Sequence, residues 1–84
     1  MLSSTYKPAI SATVTHAPGA TLRDSPSLAG SRIKRIAEGE AYSVLGRTAD
    51  AVWLLLQAEG RCGWVWSYHL HLNAQVHTLP IVSE

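Results

Sequence analysis

An all-β fold, either a small barrel or a sandwich, is predicted by two features of the sequence. Apolar and polar residues alternate in short segments, which is the period of half-buried strands. Turn-forming residues separate these segments every 8 to 12 residues or so, a spacing typical of small barrels and sandwiches. The chain has 84 residues, enough for one domain, and its three Trp and three Tyr supply all the aromatic bulk because it has no Phe.

The first strand is predicted at residues 10–15, where the alternation is regular and threonines are β-branched on the outer face. Pro18 and Gly19 indicate a turn. Residues 23–31 are rich in polar and turn-forming types and are expected to form a long loop. Leu28 is the one residue of this loop that we expect to be buried.

The next strand begins at Ile33 and Ile36, whose spacing fits neither strict alternation nor a long helix. This spacing predicts a β-bulge or a twist. Residues 38–40 form a tight turn. In the strand that follows, Tyr42 and Val44 share a face.

Two strands form the predicted centre of the fold. Residues 48–51 connect to a strand at 52–57, a turn follows at 59–60, and the next strand covers 61–66. A helix over 49–58 is the competing interpretation. That segment is short, apolar on all sides and contains Trp and Val, so the strand is favoured.

Several motifs along the chain match one known family. In chain order they are Leu22-Arg23 with Pro26, Gly39 before a hydrophobic strand, Trp53 leading a strand, Gly63-Trp64-Val65 in a hairpin, and Ser67-Tyr68 with Leu70. Together they resemble the bacterial SH3-like (SH3b) domain family. The resemblance implies a non-catalytic binding module.

The resemblance also implies an architecture, a small SH3-like β-barrel of five to seven strands over residues 12–72. A short 3₁₀ turn at 67–69 precedes the last barrel strand at 69–73. Residues 1–11 and 73–84 are then extensions that are prone to form β-structure. The expected core comprises Val14, Leu22, Ile33, Ile36, Tyr42, Val44, Leu54, Leu56, Val65 and Leu70.

Strand alternation turns three tryptophans away from this core. They are Trp53, Trp64 and Trp66, and we expect them to form an exposed face. Exposed indoles suit stacking against sugars or a peptide backbone, and aromatic residues are enriched at interfaces. The alternative is that the tails or the long loop cover some of them. Trp66 is the best candidate for binding because the family pattern does not require an aromatic residue there.

Four further residues could border the same groove. Arg23 and Asp24 lie at the start of the long loop. They could line the groove. Alternatively, they could form a local ion pair, or Asp24 could make an Asx-type turn with Ser25 and Pro26. The local explanation is favoured because turn chemistry accounts for these residues without a ligand. Tyr42 and Tyr68 are the other two, and in the family the residue matching Tyr68 usually packs with its hydroxyl near the surface.

Other chemistries have little support. His69 and His71 are spaced to share a face, but two imidazoles do not make a structural metal site, so no metal or cofactor is expected. Cys62 lacks an orienting third residue and an oxyanion device, so an enzyme is not expected. The net charge of +1 gives no basis for binding nucleic acid, and no apolar run is long enough for membrane insertion.

Two functions therefore remain open. The first is recognition of a peptide or cell-wall glycopeptide by the tryptophan face. The second is a structural subunit that forms a homo-oligomer through that face and its terminal segments. Terminal segments that fold back on their own barrel would favour the first. No secretion signal is visible, and the family analogy suggests the cell envelope or the extracellular space.

Overall fold

The computed structural model describes residues 10–82, which form one seven-stranded antiparallel sheet. The strands are β1 (Ser11–Val14), β2 (Gly19–Arg23), β3 (Arg32–Ala37), β4 (Ala41–Arg47), β5 (Trp53–Ala58), β6 (Arg61–Trp66) and β7 (Leu70–Leu72). Two 3₁₀ turns, Ser67–His69 and Val76–Thr78, flank β7. The all-β class, the strand number and the 3₁₀ turn before the last strand are confirmed.

The sheet curves around a single core. Its strands lie in the order β3-β2-β6-β5-β4-β1-β7, and six of the seven contribute buried side chains to one apolar cluster. A sheet that presents one face from so many strands to the same cluster has to bend around it. Within residues 10–82, no helix has the length and apolar character needed to span a bilayer.

Most of the expected core is confirmed. Seven of the ten expected residues are buried, namely Val14, Leu22, Ile36, Val44, Leu54, Leu56 and Val65. Ile33, Tyr42 and Leu70 are partly buried and pack against that cluster. The core also contains Ala12, Ala20, Ala58 and Leu79, which the sequence analysis did not select. Three of these four are alanines, whose small side chains give a weak hydrophobic signal.

One strand and one loop residue differ from expectation. β2 was not predicted, because the turn at Pro18 and the polar loop leave only a few residues between them to show alternation. Leu28 was expected to be buried, but its side chain is 69% exposed. The loop of residues 24–31 is closed by polar contacts, so it does not need a buried apolar anchor.

The predicted irregularity near Ile33 is a β-bulge. Leu22 pairs with Lys34, whereas the next residue of β2, Arg23, pairs with Arg32. Ile33 is therefore the extra residue of β3. A bulge of this kind increases the local twist, and it accounts for the spacing of three between Ile33 and the buried Ile36.

The hairpin between β5 and β6 is set by two residues with positive φ. Glu59 has φ of 52° and Gly60 has φ of 85°, as a two-residue type I′ turn requires. The turn joins Ala58 to Arg61, which are directly paired. It thereby fixes the register in which the two tryptophan-bearing strands meet.

Gly63 allows β2 to approach its neighbour β6 closely. A Cβ at this position would collide with the side chain of Leu22 and would lie 3.0 Å from the carbonyl oxygen of Arg23. Leu22 is fully buried, so it has little room to move aside. Because Gly63 has no side chain, Leu22 can fill the core where β2 and β6 approach each other.

The segment after β7 returns to the barrel of its own chain. Leu79 is buried in the core. The Arg47 N–H donates to the Pro80 carbonyl at 3.0 Å, and the Val82 N–H donates to the Arg47 carbonyl at 2.9 Å. The proposed division into residues 1–11, 12–72 and 73–84 stays a prediction, and residues 1–9 lie outside the described part.

Replacement of Gly63 by alanine should destabilise the domain. The added methyl group overpacks the contact with Leu22, which costs about 1–3 kcal/mol in the free energy of unfolding. Urea unfolding measures this loss. In a Leu22→Ala background the same Gly63→Ala change should cost less, because the colliding side chain is gone. An equal cost in both backgrounds would contradict the close approach as the cause.

Candidate ligand-binding groove

The three tryptophans share one face of the sheet, as expected. Across the β5–β6 hairpin, Trp53 pairs with Trp66, and Leu55 pairs with Trp64 two positions further along the strands. The intervening pair, Leu54 and Val65, points to the other face of the sheet, into the core. Alternation along β5 and β6 thus separates an indole face from an aliphatic face.

The expectation that all three indoles are exposed is wrong. Trp53 is 8% exposed and Trp64 is 5% exposed, and only Trp66, at 36%, reaches solvent. Alternation identifies the face on which a side chain lies, but it does not reveal what lies over that face.

Chain segments that are remote in sequence lie beside the two buried indoles. β2 runs next to β6, where Arg23 pairs with Trp64. On the side of β4, Gly46 pairs with Leu55, which in turn pairs with Trp64. A Cβ on Gly46 would collide with the side chain of Val82. The segment after β7 therefore lies over the same face of the sheet as Trp64.

A groove of about 160 Å³ opens beside Trp66. Its walls carry four aromatic rings, those of His16, Trp53, Trp66 and His69. A water molecule takes about 30 Å³ in the liquid, so the groove admits only a few waters or one residue-sized group. Pockets for drug-sized ligands are larger, about 300–1,000 Å³.

Two arginines, Arg23 and Arg35, also line the groove. Arg35 lies opposite Thr21, two residues before Arg23 on β2, so all three belong to one patch of the β2–β3 hairpin. Thr21 lines the groove as well. The lining contains no aspartate or glutamate. The groove is therefore aromatic and cationic.

Arg23 also holds the loop that follows it. Its Nη1 atom donates to the carbonyl oxygen of Leu28 at 3.0 Å and to that of Gly30 at 2.9 Å. Leu28 lines the groove even though most of its surface is exposed. The guanidinium thus fixes the loop position from which Leu28 borders the groove.

The two histidines of the groove stack on each other. The ring centroids of His16 and His69 are 3.9 Å apart, and the planes are within 10° of parallel. Trp66 meets His69 edge-on at 5.1 Å and meets Tyr68 edge-on at 5.0 Å. Burial, and secondly the neighbouring His16, lower the pKa of His69. The neutral form of the His69 ring beside Trp66 is therefore favoured.

Asp24 and Tyr68 were also expected at the site, but neither lines the groove. Asp24 accepts a hydrogen bond from the Ser31 N–H at 2.8 Å, which closes the loop, and it is not a lining residue. This bond replaces both the ion pair with Arg23 and the Asx-type turn that were considered from sequence. Tyr68 is 70% exposed and does not line the groove, but its ring contacts that of Trp66, so it lies beside the groove.

Tyr42 lies away from the groove, contrary to expectation. It pairs with Ala12 of β1, packs against the core and donates from its hydroxyl to the carboxylate of Glu40. That hydrogen bond, with burial, raises the pKa of Tyr42 to about 12. Tyr42 therefore has a structural explanation that involves no ligand.

Neither His71 nor Cys62 lines the groove. His69 ends the 3₁₀ turn and His71 lies in β7, where it pairs with Thr13. Cys62 is exposed and unpaired. Among residues 10–82, no three or more His, Cys, Asp or Glu side chains group in a way that could hold a metal ion.

Seven of the ten groove residues were not selected from the sequence as binding residues. Those with the larger side chains are His16, Leu28, Arg35 and His69. No signal in the local sequence links His16 to His69, because their contact depends on how the turn after β1 meets the turn before β7.

The His69 pKa gives an expected pH dependence of stability. The folded state favours the neutral ring, so the unfolded chain binds more protons once the pH falls below about 6.5. The stabilisation is present above that pH and is lost as the pH falls towards the lowered folded-state value. His16 and Trp66 contact the ring, and the positive charges of Arg23 and Arg35 line the same groove.

The melting temperature should therefore fall on acidification, and His69→Gln should make this fall smaller. Thermal unfolding followed by circular dichroism at several pH values between about 5 and 8 covers the window around the ordinary histidine pKa. His71→Gln is the matched control, because His71 is exposed. An unchanged pH dependence in His69→Gln would show that the ring does not carry the effect.

The Tyr42 phenol gives a second titration. The absorbance of tyrosinate should show one native-state ionisation near pH 12 that Tyr42→Phe removes. Glu40→Gln should move this ionisation to lower pH, because it removes the negative acceptor that holds the proton. If Tyr42→Phe instead removed an ionisation near the ordinary tyrosine pKa of about 10, the hydrogen bond would not be formed in solution.

Comparison with known proteins agrees with this architecture. The bacterial SH3 domain family matches residues 18–71, which is more than half of the chain of 84 residues. A search of curated proteins and a search of solved structures found no match. The matched range runs from the turn before β2 into β7 and includes nine of the ten groove residues. The chain belongs to the bacterial SH3 domain family.

Proposed function

We propose that this domain is a non-catalytic binding module that holds a peptide or cell-wall glycopeptide in the groove beside Trp66. Bacterial SH3 domains are generally binding modules without catalytic activity. The observation that carries the proposal is the position of Trp66. It is a large apolar side chain that lines a groove, reaches solvent and lies outside the core cluster.

The three indoles then have different roles. Trp64 is buried away from the groove lining and supports the scaffold. Trp53 is buried but lines the groove, so its ring forms part of a rigid wall. Trp66 offers the accessible ring on which a ligand can stack. Buried aromatic anchors surrounded by polar groups typically carry most of the energy of an interface.

The size of the groove limits what can enter it. A volume of about 160 Å³ accommodates one side chain or one sugar ring. The rest of a longer ligand has to lie on the surrounding surface. Trp66, Tyr68 and Leu28 all expose apolar area next to or in the groove, and this patch can continue the contact.

A peptide backbone has a possible partner as well. β3 lies at one end of the strand order, so in the described part of the chain only its β2 side is paired. The outer edge of β3 can donate and accept backbone hydrogen bonds from an added strand. Arg35 belongs to this strand and lines the groove, so one strand carries both a groove side chain and an edge that can pair.

The described part of the C-terminal segment supports this proposal over self-association. The terminal segments 1–11 and 73–84 were expected to favour a binding module if they folded back on their own barrel, and the described part of the second segment is residues 73–82. Leu79 is buried in that barrel, and Val82 pairs with Arg47 through the backbone. This apolar segment is thus already occupied within its own chain.

Trp66→Ala should weaken binding without unfolding the domain. Co-sedimentation with purified, insoluble peptidoglycan measures binding, and loss of a central aromatic anchor should raise the Kd by about 30-fold or more. The melting temperature should change by only a few degrees, because the ring lies outside the core cluster.

Leu45→Ala is the matched control for this experiment. Leu45 is 40% exposed, close to Trp66 at 36%, but it lies on β4 and does not line the groove. It should bind peptidoglycan like the unaltered domain. If Trp66→Ala binds as tightly as Leu45→Ala, or if neither the unaltered domain nor the variants sediment with peptidoglycan, this proposal fails.

A further inference from the structure

The charge of the groove allows the ligand to be described more closely. This step rests on the proposed function, since it concerns the same groove. The residues that line it include two arginines and no aspartate or glutamate. Among residues 10–82 the acidic partner in the one ion pair is Glu59, which is bound to Lys34 and not to either groove arginine.

The two arginines differ in how much of their donor capacity is already used. Arg23 donates from Nη1 to two loop carbonyls, so its main role is to hold residues 24–31. Arg35 is exposed, and no hydrogen bond or ion pair to its side chain occurs among the described residues. Its planar guanidinium has a set of donors that matches the two oxygens of a carboxylate.

The apolar and cationic parts of the groove are close together. Arg35, Trp53 and Trp66 all border one volume of about 160 Å³. A ligand that uses both parts therefore needs a carboxylate and an apolar group within the length of a single residue.

The last residue of a peptide meets this requirement. Its terminal carboxylate and its side chain are attached to the same Cα atom. An acidic side chain inside a peptide does not meet it as well. It carries no large apolar group, and in an extended strand its neighbours point to the opposite face.

We propose that the groove binds the free C-terminal residue of a peptide, with its carboxylate on Arg35 and its apolar side chain against Trp66. The β3 edge then runs next to the peptide backbone that leads to this residue. The loop held by Arg23 closes the far side through Leu28. The ligand class is therefore a peptide that ends in an apolar residue with a free carboxylate.

The test uses the tripeptide N-acetyl-Gly-Gly-Leu as the free acid and as the C-terminal amide. Isothermal titration calorimetry with the complete chain measures both affinities. The free acid should bind about 10-fold or more tightly than the amide, because a charge-assisted bidentate contact is lost in the amide. Arg35→Gln should reduce this ratio to about one, whereas Arg32→Gln should leave it unchanged.

Arg32→Gln is the matched control because it removes the same charge from the same strand at a position that does not line the groove. A third peptide, N-acetyl-Gly-Glu-Leu amide, tests a side-chain carboxylate. Equal affinity for the first two peptides, tighter binding of the third than of the free acid, or an unchanged ratio in Arg35→Gln would each overturn the inference.

The two proposals can fail separately. If Trp66→Ala abolishes binding to peptidoglycan while Arg35→Gln binds it normally and the acid and amide peptides do not differ, the groove is the binding site but not for a terminal carboxylate. If Trp66→Ala leaves peptidoglycan binding intact, the groove itself is not the site.

Discussion

The close approach of β2 to its neighbour β6 at Gly63 is the constraint on which the rest of the structure depends. Leu22 fills the core only because Gly63 has no side chain at that point. The same contact between β2 and β6 pairs Arg23 with Trp64, so the β2–β3 hairpin lies beside the indole face. One close contact in the interior therefore decides both the packing of the barrel and the presence of a groove on its surface.

The groove depends on three parts of the chain that are far apart in sequence. β2 and β3 supply the arginines, β5 and β6 supply the indoles, and the turns next to β1 and β7 supply the stacked histidines. The β2–β3 and β5–β6 hairpins are each local, and the register of the second is set by the two-residue turn at Glu59 and Gly60. This arrangement explains why the site lies where the sheet curves and its ends come near each other.

The sequence was sufficient for the local features and insufficient for those that depend on curvature. The fold class, the bulge at Ile33 and the shared face of the tryptophans follow from spacing and alternation, and the resemblance to the family implied the 3₁₀ turn. The burial of Trp53 and Trp64 does not, because it depends on which distant segments lie over that face. The contact of His16 with His69 and the separation of Tyr42 from the groove depend in the same way on the bending of the sheet.

The contact between Arg23 and its loop also affects how binding specificity can change. A single side-chain nitrogen supports residues 24–31, and Asp24 closes the same loop through Ser31. No fully buried side chain comes from this loop, so its composition can vary without altering the core. A wall that is ordered before the ligand arrives also reduces the conformational entropy lost on binding. The barrel can thus remain fixed while substitutions in one surface loop select among ligands.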